Sequence, residues 1–233
     1  MTWAVFCDFD GTVATVDTTD ALLERYAEPA WREVEQLWVD GKIGSKECMR
    51  RQVELVRATA RQLDAFADHI AIDEGFPAFV RACERRSVPV AVLSDGLDYV
   101  IRRVLARHAL GFLPVFANHL KPLGDDRYTL LAPYAAPECS AGTCKCAIMG
   151  RSASRATLLI GDGRSDFCAA AKSADLVLAK DRLLRHCEQH DIAHFAFDGF
   201  LHARTLLEMH LDSPPARTAA AIPDLADAIP HEP

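Results

Sequence analysis

The segment WAVFCDFDGTV, Trp3 to Val13, decides the fold. Trp3–Cys7 is a continuous apolar run of strand length, as expected of a strand buried on both faces of a parallel sheet. Two aspartates, Asp8 and Asp10, follow at once, with a glycine-threonine turn behind them. The same pattern of short apolar run and polar end recurs at Val88–Leu93, Thr157–Ile160 and Leu176–Leu178. Helical patterns come after these runs, as in LDYVIRRVLARHAL after Ser94 and SDFCAAAKSA after Gly163. Short strands alternating with helices predict βαβ units, and so an α/β fold with a doubly wound, mostly parallel sheet.

Between the first two strands the rhythm changes. From about Thr15 to Asp73 only amphipathic helical pattern is present, as in DALLERYAEPAWREVEQLWVDG and SKECMRRQVELVRA. This predicts a small helical cap of four or so helices inserted after the first strand. AIDEGFPAFVRACERR then returns to the core as a helix. Asn118–Ala136 reads as a hairpin or irregular loop with GDD at its tip. The expected organisation is a core of residues 1–14 and 74–212, a cap of 15–73, and a Pro- and Ala-rich flexible tail of 213–233.

Composition excludes several classes of function. The chain has 233 residues and a formal charge of −7, with no basic surplus to displace counterions from nucleic acid. No stretch approaches the roughly 18 uninterrupted apolar residues of a membrane span. No basic leader precedes Asp8, so a signal peptide is not expected. Eight cysteines are too sparse for a disulfide scaffold in a chain this long, which points to a reduced, cytoplasmic setting. Neither nucleic acid nor membrane is the expected partner, and a homodimer is left open.

Ligands of open α/β sheets bind beyond the carboxyl ends of the strands. Asp8, Asp10, Ser94 and Asp162 all stand at such ends. Crowded carboxylates repel one another and call for a cation, and hard oxygen ligands with room for water favour Mg²⁺. Lys145 in GTCK, and the hydroxyl and backbone amides of LSDG, suit the oxygens of a phosphoryl group. A carboxylate nucleophile, a metal and a phosphate clamp together suggest phosphoryl transfer through an aspartyl-phosphate.

DFDGT (Asp8–Thr12), LSD (Leu93–Asp95), Lys145 and GDGRSD (Gly161–Asp166) resemble, in order and spacing, the four motifs of the haloacid dehalogenase superfamily. The resemblance covers roughly residues 3 to 200. It implies Asp8 as nucleophile and Asp10 as general acid/base, with Ser94 and Lys145 completing the catalytic set. It further implies a phosphate-binding set of Gly11, Ser94, Asp95, Gly96 and Lys145. Mg²⁺ would be held by Asp8, the backbone carbonyl of Asp10 and Asp162, supported by Asp166. The second acid, Asp10, favours phosphatases over dehalogenases, because a leaving alkoxide needs a proton. Crowding with Asp8 and Asp162 is expected to raise its pKa toward that task.

GTCK with GDGRSDFCAAAKSADLVLAKDRLLRHC is similar to the 2-hydroxy-3-keto-5-methylthiopentenyl-1-phosphate phosphatases of methionine salvage. The wider group includes phosphoserine and phosphoethanolamine/phosphocholine phosphatases, which are the alternative substrate readings, so the resemblance implies a small phosphorylated metabolite as partner. Phosphoserine enzymes carry a glutamate seven positions after their second motif aspartate. Asp17 occupies that place and is the candidate specificity residue. SDG stands where salvage enzymes often have SGG. A non-catalytic phosphate-binding regulator is the reading outside enzymes.

Cys139, Cys144 and Cys146 lack the spacing of a zinc knuckle and read as thiols near a phosphate loop. His69, His108, His119 and His186 have no mutual pattern. Trp31 and Trp38, two helical turns apart, are expected to face the cap core with Met49. Thr18, Asp20, Arg50 and Arg51 are the cap residues expected nearest a substrate, and cap closure would exclude water.

Overall fold

The computed structural model describes residues 2–152 and 155–210. The expected tail of 213–233 lies outside the described residues. Seven strands follow the order β4-β3-β2-β1-β5-β6-β7. They are β1 (Thr2–Cys7), β2 (Val90–Leu97), β3 (Val115–Gly124), β4 (Arg127–Leu131), β5 (Arg155–Gly161), β6 (Leu176–Ala179) and β7 (His194–Ala196). β1 with β5, β5 with β6, β6 with β7, and β2 with β3 pair in parallel, whereas β3 and β4 are antiparallel. The expected mostly parallel α/β fold is therefore present.

Two compact units divide the chain. Of the described residues, the first comprises 2–8, 73–91, 145–152 and 155–210, and the second 9–72 and 92–144. In the first, β1 and β5 are in register from Thr2 against Arg155 to Cys7 against Ile160. Their side chains are mostly apolar on both faces, Thr157 of β5 being a buried exception, and β1 from Trp3 onward is wholly buried. Helix α5 (Phe76–Arg85) packs on α10 (Phe200–His210) through Phe76, Phe79 and Phe200. Their rings meet edge-on, Phe200 lying 4.6 Å from Phe76 and 5.2 Å from Phe79. Asp73 ties the two helix starts together, accepting from the Gly75 N–H at 2.8 Å and the Phe200 N–H at 3.3 Å.

The second unit contains four helices between β1 and α5: α1 (Thr18–Tyr26), α2 (Trp31–Val39), α3 (Ser45–Glu54) and α4 (Ala60–Ala67). Four or so helices were expected in this stretch, and compactness groups them with most of β2, with β3 and β4, and with α6 (Asp98–Arg107). The reason is side-chain packing: α3 lies on β4 and α4 on α6. Tyr99 of α6 donates to Asp64 at 2.5 Å, and Arg103 grips Asp68 through two bonds of 2.8 and 2.7 Å. Tyr128 of β4 donates to the Ala58 carbonyl at 2.9 Å. The β3–β4 connection is a hairpin with Gly124, Asp125 and Asp126 at its tip, all at positive φ, as tight hairpin turns require.

Two local expectations fare differently. α2 has no buried residue, so Trp31 and Trp38 are half-exposed rather than core. Met49 is half-buried, its sulfur accepting from Asn118 Nδ2 at 3.5 Å.

Candidate active site

Within the first unit, Asp8 follows β1 directly, and its N–H donates to the Ile160 carbonyl of β5 at 2.8 Å. That bond continues the parallel ladder by one residue and carries the carboxylate to the strand end. β5 ends at Gly161, so Asp162 emerges beside it, and a short helical turn at Arg164–Asp166 turns Asp166 inward. Lys145 opens α7 (Lys145–Met149) and is only 3 % exposed; Asp166 is 0 % exposed.

These groups form one cluster. Lys145 Nζ lies 2.8 Å from Asp8 Oδ2 and 2.7 Å from Asp166 Oδ1. It also donates to Ser165 Oγ at 3.1 Å, and Ser165 Oγ donates to Asp8 Oδ2 at 3.2 Å. Asp8, Asp162 and Asp166 each offer an oxygen, all within 4.8 Å of one another. Burial alone would lower the Lys145 pKa, but Asp166 and Asp8 outweigh it and hold the ammonium above the usual lysine range. Burial, reinforced by the Asp8 charge, pushes the Asp166 carboxyl up against the pull of Lys145.

Asp8, Asp162 and Asp166 thus share a largely buried cluster with the Lys145 ammonium. Three crowded carboxylates offering only hard oxygen donors fit a divalent cation such as Mg²⁺. None of the eight cysteines is in a disulfide, and no group of metal-ligating side chains among the described residues includes Cys139, Cys144 or Cys146.

The second unit carries the other half of the predicted residues. Asp10 sits in a turn spanning Phe9–Val13, in which Gly11 has φ 66°, a left-handed value that favours glycine. Asp10 Oδ1 accepts from the Thr18 N–H at 2.8 Å and from Thr18 Oγ1 at 2.5 Å. The first residue of α1 therefore fixes the orientation of the acid. Ser94 Oγ accepts from the Gly96 N–H at 2.9 Å and approaches Asp10 Oδ2 at 3.5 Å. A β-carbon on Gly96 would stand 2.5 Å from Asp10 Oδ2 and 3.0 Å from Ser94 Oγ, so only glycine fits.

Asp95 and Asp17 have other partners. The Asp95 carboxylate accepts from Ser45 Oγ at 2.8 Å, the Thr143 N–H at 2.9 Å and Asn118 Nδ2 at 3.1 Å. Its side chain thus serves the protein's own donors, linking the first residue of α3 to β3 and to the loop before Lys145. Asp17 is the N-cap of α1, accepting from the Asp20 N–H at 2.9 Å. Of the other cap candidates, Arg50 is paired with Glu47 and Glu54, and Arg51 with Glu47. Thr18, Ser165 and Asn118 were not singled out as site residues by sequence, although Thr18 was named as a cap candidate. Ser165 lies inside the GDGRSD motif, which was the available signal.

The comparisons agree with this geometry. A family model described as haloacid dehalogenase-like hydrolase matches residues 5–171. A 2-hydroxy-3-keto-5-methylthiopentenyl-1-phosphate phosphatase of Brevibacillus brevis is 30 % identical over 203 residues, covering 84 % of this chain and 90 % of its own. One of the same name from Lysinibacillus sphaericus is 27 % identical over 206 residues, covering 84 % and 90 %. Among solved structures, a phospho-aspartyl intermediate analogue of phosphoserine phosphatase superposes with a TM-score of 0.66 at 21 % identity. It covers 89 % of this chain and 98 % of that one, a likeness of fold. With four motifs in order, a lysine-bridged carboxylate cluster and a match over most of its length, the chain belongs to the haloacid dehalogenase-like hydrolases and is a phosphatase of that family.

Proposed function

We propose that this phosphatase is a Mg²⁺-dependent phosphomonoester hydrolase of methionine salvage, acting on 2-hydroxy-3-keto-5-methylthiopentenyl-1-phosphate through an aspartyl-phosphate. The observation that carries the chemistry is Asp8, buried at a strand end and held by Lys145 at 2.8 Å and Ser165 at 3.2 Å. The substrate assignment is supported by the names of relatives matched over about nine-tenths of their length.

In the first step an Asp8 carboxylate oxygen attacks phosphorus, and the bond to the ester oxygen breaks. Asp10, two residues on and aimed by Thr18, gives the departing oxygen its proton. In the second step Asp10 takes a proton from water as that water attacks the phosphorus of the acyl phosphate. Inorganic phosphate leaves and Asp8 returns as carboxylate. Lys145 and Ser165 keep Asp8 oriented, and Ser94 and the Gly96 region hold phosphoryl oxygens. Asp8, Asp162 and Asp166 would hold Mg²⁺, which when bound neutralises charge on the phosphoryl group. Eight cysteines without a disulfide support a cytoplasmic setting, and no helix among the described residues is long and apolar enough to cross a membrane.

Phosphate release from a panel of phosphomonoesters, with Mg²⁺ and with EDTA, tests the reading. The methylthiopentenyl phosphate should be turned over fastest, in Mg²⁺ only. Preference for phosphoserine or phosphocholine would reassign the substrate. Undiminished release in EDTA would remove the metal from the scheme.

A further inference from the structure

β2 and β3 run in parallel, with Leu93 opposite Phe116 and Leu97 opposite Asn118. Ser94, Asp95 and Gly96 therefore stand against one residue of β3, Ala117, and the register shifts across them. Bulges of this kind re-aim side chains beside active sites, at the cost of regular ladder bonds. This one carries Ser94, whose hydroxyl accepts from the Gly96 N–H at 2.9 Å and donates to Asp10 Oδ2 at 3.5 Å. A segment released from its ladder needs another anchor to keep one conformation.

Asn118 supplies that anchor from the neighbouring strand. Its Nδ2 donates to the Asp95 carbonyl at 2.6 Å and to Asp95 Oδ1 at 3.1 Å. One amide thus grips both the main chain and the side chain of the middle residue of the bulge. It can sit only one way round, because the opposite orientation would turn its oxygen onto two oxygens of Asp95. A β-carbon on Gly142 would collide with Asn118 Oδ1, so glycine there lets the loop before Lys145 close over the amide. Asn118 is 0 % exposed, so it meets no ligand itself and acts on the chemistry only through the segment it holds.

We infer that Asn118 is a positioning residue for phosphoryl transfer: by fixing Asp95 within the bulge it sets the direction of the Ser94 hydroxyl. This rests on the reading of Ser94 as a holder of phosphoryl oxygens. It extends the machinery to a side chain one strand away that touches neither the substrate nor the metal.

The test is a double-mutant cycle on kcat/KM, measured in Mg²⁺ buffer well below the melting temperature. The substrate is the phosphomonoester of the panel that the wild type turns over fastest. The chains are wild type, Ser94→Ala, Asn118→Ala and the double variant. Asn118→Ser keeps a short donor and should lose less, and it takes the place of Asn118→Ala should that chain fail to fold. Tyr128→Phe is the stability control, since it removes the bond to the Ala58 carbonyl and leaves the bulge untouched. Displacement of a catalytic group by about 1 Å can cost about 10²-fold, and Asn118→Ala should lose about that much. In the Ser94→Ala background the same change should cost little more, because the hydroxyl it aims is gone. Tyr128→Phe should melt lower yet keep wild-type turnover. Wild-type kcat/KM in Asn118→Ala, or losses that multiply in the double variant, would overturn the inference and leave the role of Ser94 intact. Equal losses of turnover in Tyr128→Phe and Asn118→Ala would also overturn it, since stability would then explain both. Wild-type turnover in Ser94→Ala would remove the reading of Ser94, and the inference with it.

Discussion

Asp8 is the residue on which the chemistry turns, and its replacement separates catalysis from folding. Asp8→Asn keeps the shape and an acceptor for Lys145 and Ser165 but forfeits the charged nucleophile. Turnover should fall by about 10³-fold or more, read by phosphate release. The same variant removes one charge from a crowded buried cluster, so metal-free stability should hold or rise. Near-wild-type activity would sink the nucleophile assignment. Gly96→Ala probes the acid. The new β-carbon would meet Asp10 Oδ2 at 2.5 Å and force it aside, and displacement of a catalytic group by about 1 Å can cost about 10²-fold in kcat. The motif residues Asp8, Asp10, Ser94, Lys145, Asp162 and Asp166 could be read from sequence because each is tied to a strand end or a motif. Asn118 could not. A hydroxyl or amide is common everywhere, and only a three-dimensional neighbour gives it a task.

Helix α3 shows what the level of elements adds. Its first residue, Ser45, is bound to Asp95, and its Lys46 N–H donates to the Ser140 carbonyl at 3.0 Å. The start of a cap helix is therefore seated on the residue after Ser94 and on the loop that leads to Lys145. Asp95→Asn would strip three donors of a charged acceptor, and bonds to charged groups contribute about 1.5–3 kcal/mol. A destabilisation of about 2 kcal/mol, or roughly 4–8 °C in melting temperature, is expected. Ser45→Ala should cost about 1 kcal/mol, and the double variant less than the sum, because the two share one bond. Additive losses would show that the contact carries no coupling. Continuous apolar runs made β1, β2, β5 and β6 legible, since strands buried on both faces need no alternation. β7 is three residues long, too short for a pattern. The helical spacing of Trp31 and Trp38 was also real. Yet α2 buries none of its residues, because periodicity reveals which face is apolar and not how deeply a neighbour covers it.

For the molecule as a whole, metal and pH act on stability in opposing ways. Because Asp8, Asp162 and Asp166 bring carboxylate oxygens within 4.8 Å of one another, Mg²⁺ should raise the melting temperature. At one hundred times its Kd the gain is about 2.7 kcal/mol. EDTA should abolish the gain, and Asp162→Asn should remove most of it. A melting temperature indifferent to Mg²⁺ would refute the three-acid site independently of any activity. This part of the site was legible because all its members lie in motifs. The division into compact units was not, since it depends on α3 meeting β4 and α4 meeting α6, contacts between residues far apart in the chain. The opposite end of the pH scale tests those helices. Arg50 and Arg51 hydrogen-bond to Glu47 on α3 and hold its carboxyl down at about 2. A group depressed in the folded state binds its proton more readily when unfolded. Its stabilisation is therefore complete above the unfolded value near 4.5 and is lost as pH falls toward 2. The side chains are partly exposed, so solvent screening keeps the contribution to under about 1 kcal/mol. Glu47→Gln should accordingly melt slightly below wild type at neutral pH, the two curves converging as the solution is acidified through that window. A gap that stays constant down to pH 2 would show that Glu47 acts on stability through packing and not through its charge.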